Sequence, residues 1–324
     1  MSHAIVIHET GDASSLRWEP HDPGEPGPGQ VRVALRAAGV NFIDVYFRSG
    51  LYPRPLPFVA GLEGAGVVEA MGPSVEGLAV GDRVAWAAAP GSYAEAVNAH
   101  AGSLVKIPEA VSFEVAAAVM LQGMTAHYLM NGCRTTAEGD VALVHAAAGG
   151  VGLVLIQLLK QAGAIVIGTC GAAEKVELAR KAGADHVIRY DELDFQAEVV
   201  AFTDGRGCDV VYDSVGQATF DGSLGCVRPR GLLALFGQSS GPVPPFDLQR
   251  LNAGGSQFVT RPSLAHYTAS REELEMRSGA ILGAVAAGRL DVRIGARFAL
   301  SEAADAHRAL EGRGTTGKVI LLPG

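Results

Sequence analysis

The chain has four cysteines in 324 residues, Cys133, Cys170, Cys208 and Cys226, and no two of them form a Cys-x-x-Cys pair. With the cysteines dispersed and a reducing cytosol expected, a disulfide framework is not expected, and each thiol should pack as a small apolar side chain. Basic residues are in deficit, 26 Lys and Arg against 34 Asp and Glu, and they are scattered rather than clustered. A net charge of −8 without a basic stripe argues against nucleic acid or an anionic membrane as the main partner. No apolar run reaches membrane-spanning length, and the apolar stretch 151–159 is far too short to do so. Residues 1–10 lack the apolar core of a signal peptide, so the expected location is the cytoplasm. Internal repeats and low-complexity tracts are absent, and the Pro/Gly-rich stretch 20–29 is too short to be an interdomain linker. What the chain does have is apolar residues, 48%, and glycine, 42 residues: material for a large core and many tight turns. The length suits two domains.

Residues 140–152 read Asp-Val-Ala-Leu-Val-His-Ala-Ala-Ala-Gly-Gly-Val-Gly. An apolar strand (141–146) runs through small residues into an apolar helix (151–162), the opening of a dinucleotide-binding unit. Gly149 lets the backbone approach a pyrophosphate and Gly152 lets the helix lie close on the strand. The helix N-terminus offers free N–H groups and partial positive charge. Ala147 stands at the first position of the usual Gly-x-Gly-x-x-Gly, and a bare pattern of this kind equally describes a softened core turn. The flanks favour the nucleotide. Further apolar strands follow at 164–170, 185–190, 208–216 and 231–237, with a short one at 257–261, alternating with helices. This predicts an α/β fold with a doubly wound parallel Rossmann sheet over residues 125–262.

The flanking segments read differently. Short strands at 4–8, 30–40, 64–70, 82–86 and 92–97, punctuated by glycine and proline, predict a mainly antiparallel barrel-like domain. Helices are expected at 42–48 and from 113 to 129. After Arg271 come helices at 274–287 and 302–310 and an edge strand at 318–322, expected to return to the N-terminal domain. The domains are therefore placed at 1–124 with 263–324, and at 125–262, with substrate in a cleft between them.

Several blocks carry a family resemblance: Asn41-Phe-Ile-Asp44 with Tyr46, Arg48-Ser-Gly-Leu-Tyr-Pro53, Gly61-Leu-Glu-Gly-Ala-Gly66, Gly81-Asp-Arg-Val84, the Ala-Ala-Ala-Gly-Gly-Val-Gly turn, Tyr212-Asp-Ser-Val-Gly216, Val259-Thr-Arg-Pro-Ser263 and Glu311-Gly-Arg-Gly-Thr-Thr-Gly-Lys318. Together they resemble the medium-chain dehydrogenase/reductase superfamily, and within it the quinone oxidoreductase family, over nearly the whole chain. The resemblance implies a GroES-like, mainly antiparallel β-barrel domain beside the Rossmann domain. Zinc-dependent relatives place a ligand histidine where this chain has Leu62 and a cysteine where it has 41–44. Glu63 remains without ligand partners, and the four clustered cysteines of a structural zinc are missing. No metal is expected, and alcohol oxidation by a Lewis acid is disfavoured.

Hydride transfer from NADPH to an acceptor that is already electrophilic, a quinone, is the implied reaction. The resemblance points to Asn41, Tyr46 and Tyr52. Asn41 would hold the nicotinamide ribose or carboxamide, Asp44 would orient it, and the tyrosines would hydrogen-bond and flank a quinone oxygen. Arg261 would add positive charge as the acceptor gains electrons. Domain-boundary packing for the tyrosines and a surface ion pair for Arg261 stand as alternatives.

Cofactor choice is read after the second Rossmann strand, which ends Thr169-Cys170-Gly171 with no carboxylate of the kind an NAD enzyme uses. Gly171, Lys175, Tyr190 and, near the C-terminus, Arg313 are the implied 2′-phosphate site, with Glu174 as the dissenting charge. Lys175 alone reads as a solvated helix lysine. Ser214, Phe236, Ser239 and Ser240 lie along the sheet's carboxyl edge, and the resemblance adds Phe42, Tyr46, Thr125, Tyr128, Gly150, Val151, Phe258 and Thr260. Relatives dimerise along the last Rossmann strand, so a homodimer is expected. Two other functions stay open: an NADPH-dependent alkenal or enone reductase on the same scaffold, and a non-catalytic crystallin-like or RNA-binding role.

Overall fold

The computed structural model describes residues 2–324. In chain order the first elements are strands β1 (His3–Ile7), β2 (Arg17–Pro20) and β3 (Gln30–Val40) and helix α1 (Phe42–Arg48). Strands β4 (Phe58–Val59), β5 (Glu63–Met71), β6 (Arg83–Trp86), β7 (Ala96–His100) and β8 (Val105–Lys106) lead to helix α2 (Phe113–Tyr128). Next come β9 (Val141–Val144), α3 (Gly150–Gln161), β10 (Ile165–Cys170), α4 (Ala173–Lys181), β11 (His186–Arg189) and α5 (Phe195–Phe202). They are followed by β12 (Cys208–Asp213), α6 (Phe220–Cys226), β13 (Val227–Leu235), α7 (Gln249–Ala253), β14 (Phe258–Thr260) and α8 (Leu264–Tyr267). The chain ends with α9 (Arg271–Ala286), β15 (Ile294–Ala299), α10 (Ala303–Glu311) and β16 (Lys318–Leu322). Two compact units result: residues 1–124 with 268–324, and residues 125–267. Residues 263–267 thus group with the nucleotide unit, beyond the boundary read from sequence.

In the second unit the strand order is β11-β10-β9-β12-β13-β14, every pairing parallel. The order reverses between β10 and β12 around β9, the switch point at which an open α/β sheet collects ligands. All four residues of β9 are buried, as a central parallel strand covered on both faces requires. Leu143, Ile167, Val211 and Leu233 from four adjacent strands form the middle of this core.

The first unit is antiparallel apart from one pair. Its larger sheet runs β15-β16-β3-β5-β6-β8, with β7 paired on β3, and β2-β1-β4 make a smaller one. Val31, Val33, Leu35, Trp86, Tyr93 and Leu321 fill the core. The expected edge strand at 318–322 is corrected here: β16 lies between β15 and β3. Its cover, β15, has a glycine at a register shift and no fully buried residue, so it lacked a strand signature. A Cβ at Gly295 would lie 1.7 Å from the Thr316 carbonyl oxygen, so only glycine lets the backbones pass there.

The register brings three strand ends together. Val319 opposes Val40 and Gly39 opposes Glu63. The start of β16, the residue after β3 and the start of β5 therefore lie side by side, which sets Lys318, Asn41 and Glu63 next to one another.

Candidate active site

In the nucleotide unit, β9 passes into α3 through Ala146, which holds a left-handed φ of 52° without being glycine. A Cβ on Gly152 would stand 2.4 Å from the Ala146 carbonyl oxygen, so glycine is what allows α3 to sit on this turn. Gly149 caps α3 in an extended conformation, and Gly149, Gly150 and Val151 border the turn, with Gly150 and Val151 half-buried. The first N–H groups of the helix have no intrahelical acceptors and can take a diphosphate. Behind the turn His145 is 1% exposed. Its Nδ1 lies 2.9 Å from Thr169 Oγ1 and its Nε2 2.9 Å from Ser223 Oγ. The Ser223 hydroxyl donates onward to Asp213. Burial lowers the His145 pKa, so the neutral ring ties β9, β10 and α6 together.

At the tip of β10 a Cβ on Gly171 would come within 2.5 Å of the Tyr190 hydroxyl oxygen. Tyr190 is 41% exposed and lies against Gly171. Lys175 is half-buried in the first turn of α4, and its carbonyl accepts the Cys170 thiol at 3.7 Å. Glu174 acts electrostatically on Arg189, whose guanidinium also pairs with Asp191 and Glu192. The dissenting carboxylate thus lies within the field of a cation that is itself paired with two other carboxylates. Along the carboxyl edge, the Ser239 N–H donates to the Ser214 carbonyl and the Phe236 N–H to that of Asp213. The Ser240 hydroxyl donates to the Val215 carbonyl and accepts the Ala218 N–H. It thereby ties the two loops together. Phe258 and Thr260 are on the outermost strand, and Arg261, just beyond it, is exposed. Thr125 and Tyr128 are buried, and the Tyr128 ring stacks on Tyr267 at 4.5 Å. Arg313 belongs to the first unit, exposed and with a left-handed φ of 58°.

In the first unit a buried polar centre surrounds Asn41. Its Nδ2 donates to Glu63 Oε2 at 2.9 Å and to the Gly39 carbonyl at 3.3 Å. Lys318 Nζ donates to Asn41 Oδ1 at 2.6 Å and to Glu63 Oε2 at 2.5 Å. Glu63 Oε1 accepts the Leu121 N–H at 2.6 Å. Asn41, Glu63 and Lys318 are 4%, 0% and 1% exposed. A Cβ on Gly39 would strike Glu63 Oε2 at 2.3 Å, so this glycine is the notch that receives the carboxylate. Sequence reasoning passed over Lys318 and Gly39. A glycine inside an otherwise apolar strand, and a lysine opening the run Lys-Val-Ile-Leu-Leu, were the available signals.

Asp44 orients backbone rather than the Asn41 amide. Its Oδ2 accepts the Asn41 N–H at 2.9 Å and the Tyr93 hydroxyl at 3.0 Å, while the buried Oδ1 has no hydrogen-bond partner among the described residues. Behind Tyr93 stands His307, with Nε2 at 3.2 Å, and Arg48 Nη1 lies 3.3 Å from His307 Nδ1. Arginine can only donate, so Nδ1 accepts, Nε2 carries the proton and donates to Tyr93, and Tyr93 donates to Asp44. Arg48 is anchored by two bonds to Glu311, at 2.8 and 2.7 Å. Burial lowers the His307 pKa to about 3, with Arg48 adding to the effect, which fixes the ring as neutral. Burial raises the Asp44 pKa to about 7 against the opposing pull of its two donors and Lys318.

The tyrosines are brought together. Tyr46 and Tyr52 meet edge to face at 5.2 Å, and Phe42 lies 6.4 Å from Tyr46 on the same helix. The Tyr52 N–H donates to the Tyr46 carbonyl, which locks the loop after α1 against it. Arg54 sits over the Phe47 and Phe58 rings, at 5.7 and 4.7 Å.

Comparison with known proteins accords with both units. The alcohol dehydrogenase GroES-like domain family matches residues 27–109, and the zinc-binding dehydrogenase family matches residues 150–270. A quinone oxidoreductase of Pseudomonas aeruginosa is 46% identical over 325 residues, with both proteins covered in full. A 2-haloacrylate reductase of a Burkholderia species is 43% identical, covering 100% of this chain and 99% of that protein. The crystal structure of Escherichia coli quinone oxidoreductase complexed with NADPH superposes with a TM-score of 0.97 at 42% identity, covering 99% of this chain and 100% of that one. The chain belongs to the quinone oxidoreductase family of the medium-chain dehydrogenases/reductases.

Proposed function

We infer that the protein is an NADPH:quinone oxidoreductase, and the observation that carries this is its full-length likeness to quinone oxidoreductases. The α3 N-terminus fits a dinucleotide diphosphate, because Gly152 leaves the room that any side chain would fill. Gly171, Lys175 and Tyr190 suit a 2′-phosphate, because β10 ends without a carboxylate and Tyr190 lies against Gly171. Arg313 is assigned to the same phosphate on the family pattern. Ser214, Phe236, Ser239, Thr125, Tyr128, Phe258 and Thr260 are assigned to the rest of the cofactor.

When bound, NADPH supplies the hydride, and one proton from water completes the quinol. The chain's own residues orient the partners and exclude water. Asn41 is assigned to a ribose hydroxyl or carboxamide N–H through Oδ1, while its Nδ2 is held within the protein and Oδ1 also accepts from Lys318. Phe42, Tyr46 and Tyr52 provide an aromatic wall with two hydroxyls for a quinone. Arg261 is assigned to charge on the acceptor. The catalysis is read as metal-free, supported by an ammonium, Lys318, already at the centre of the polar cluster where it would repel a divalent cation.

A C=C reductase is the second reading, favoured by the 2-haloacrylate reductase at nearly equal identity. The deciding experiment is steady-state reduction of 1,4-benzoquinone, 2-chloroacrylate and short enals with NADPH. Higher kcat/KM with quinones is expected, and a roughly tenfold preference for a C=C substrate would overturn the quinone assignment. The same reading makes the protein a cytoplasmic homodimer. Four free cysteines and an NADPH requirement suit a reducing compartment. Strand β14 ends its sheet with Phe258 61% exposed, an edge that a two-fold mate would cover. Light scattering at micromolar concentration is expected to give twice the chain mass, and a monomer mass would refute the dimer.

A further inference from the structure

We propose that Lys318, acting with Glu63, is a positioning residue that fixes which end of the Asn41 amide faces the cofactor. This inference rests on the reading above that Asn41 meets the nicotinamide half. An asparagine amide has two ends of nearly the same shape and opposite hydrogen-bonding sense, so shape alone does not decide its orientation. Here the two sides of the amide carry opposite charges. The Lys318 ammonium can only donate and lies 2.6 Å from Oδ1, whereas the Glu63 carboxylate accepts from Nδ2 at 2.9 Å. A flipped amide would set NH2 against an ammonium and C=O against a carboxylate, in a site 0–4% exposed. The pair therefore commits Asn41 to presenting an acceptor.

The fold makes this clamp rigid. Lys318 and Glu63 open strands β16 and β5 on either side of β3, which delivers Asn41 at its end. Glu63 is held at its other oxygen by the Leu121 N–H, and Gly39 leaves the space its carboxylate occupies. Lys318 lies 277 positions from Asn41 and bonds to its side chain directly. A small rotation of the amide separates an acceptor aimed at the nicotinamide half from one that misses it, and misplacement on that scale costs rate.

The test removes the charges as a pair, because a lone buried charge would destabilise the fold. In K318M/E63Q the amide has no charged neighbour to set its sense, and the glutamine side chain introduced in place of the carboxylate both donates and accepts. Expected for the variant are a kcat for 1,4-benzoquinone reduced roughly ten- to a hundred-fold and an NADPH dissociation constant raised about three- to ten-fold. Affinity for 2′,5′-ADP should stay unchanged, as should the tryptophan-monitored melting temperature to within a few degrees. Adding N41A to that pair should cost little more, since the two changes act through one group. E63Q alone keeps size and serves if the pair variant does not fold, with a kcat loss of about three- to ten-fold expected. A kcat within about threefold of wild type in these variants, with N41A strongly impaired, would overturn the role of Lys318 and leave the Asn41 reading standing. An N41A enzyme within about threefold of wild type would overturn both. Equal weakening of NADPH and 2′,5′-ADP would mark general loosening of the protein and also overturn it.

Discussion

Replacing Asp44 by asparagine should remove a pH-dependent contribution to the stability of the unit that contains it. The carboxyl group is fully enclosed, accepts two hydrogen bonds on Oδ2 and has no partner for Oδ1 among the described residues. Burial outweighs those bonds and raises its pKa from 3.8 to about 7. A carboxyl whose folded pKa lies above its unfolded value binds more protons folded than unfolded, so stability falls as pH rises through that interval and levels off above about 7. The full displacement corresponds to roughly 4 kcal/mol, and the larger part of it falls between about pH 5 and pH 7. Asparagine keeps an acceptor for Asn41 and Tyr93 but puts an NH2 where Oδ1 had no partner, at a cost of about 1–3 kcal/mol independent of pH. Between pH 5 and pH 8 the stability difference should therefore move in favour of the variant by roughly 3 kcal/mol. His307, held neutral with a pKa near 3, destabilises the fold as pH drops below about 6.5. That contribution is common to both proteins and cancels in the difference. Both tryptophans, Trp18 and Trp86, lie in this unit, so urea unfolding followed by tryptophan fluorescence reports on it selectively. A wild-type-minus-variant difference constant to within about 0.5 kcal/mol from pH 5 to pH 8 would refute the argument, because Asp44 would then titrate alike folded and unfolded.

Lys175→Ala should weaken NADPH by about 1.5–3 kcal/mol, roughly ten- to a hundred-fold, and leave NADH nearly untouched, as read by calorimetry with each cofactor; equal losses would make the lysine structural. Tyr46→Phe and Tyr52→Phe should each cost about 0.5–1.5 kcal/mol, roughly three- to ten-fold in kcat, if the hydroxyls only position the acceptor. A fall of about a hundred-fold or more, with an altered pH profile, would identify an obligatory proton donor instead. Purified protein should contain no stoichiometric zinc and keep its activity in chelator, and elemental analysis finding about one zinc per chain would defeat the metal-free reading.

The parts of this molecule that are legible in its sequence are those whose causes are local. The turn at 146–152 needs glycine for an approach within its own few residues, and the neighbouring apolar strand and helix carry their own periodicity. Aromatic contact between Tyr46 and Tyr52 is nearly as local, made across a single loop. Even there one detail escaped: Ala146, and not a glycine, takes the left-handed turn. The strand β15 escaped for a different reason. Its half-buried alternation and internal glycine resemble a loop until β16 is known to need a cover, and so the last strand was expected at the edge.

The polar centre around Asn41 was hidden by distance along the chain. Nothing near Asn41 announces that its amide is spoken for, because one partner arrives from β5 and the other from β16 through strand register alone. Read singly, Glu63 is a stranded carboxylate and Lys318 an ordinary lysine before an apolar run. Together they form a neutral pair that the interior accepts because each charge has a partner within about 3 Å. The motif that names the family thus contains Asn41 and Asp44 but not the groups that hold them. Asn41 is aimed by charges brought from two other strands, and Asp44 is held by a donor string that starts at Arg48, itself anchored on Glu311, and runs through His307 and Tyr93. That string cannot carry a proton inward. His307 Nδ1 is filled by a guanidinium N–H, and its pKa near 3 keeps the ring from accepting another proton at neutral pH. Its effect on the site is mechanical: it holds the first turn of α1, and with it the backbone of Asn41, in place.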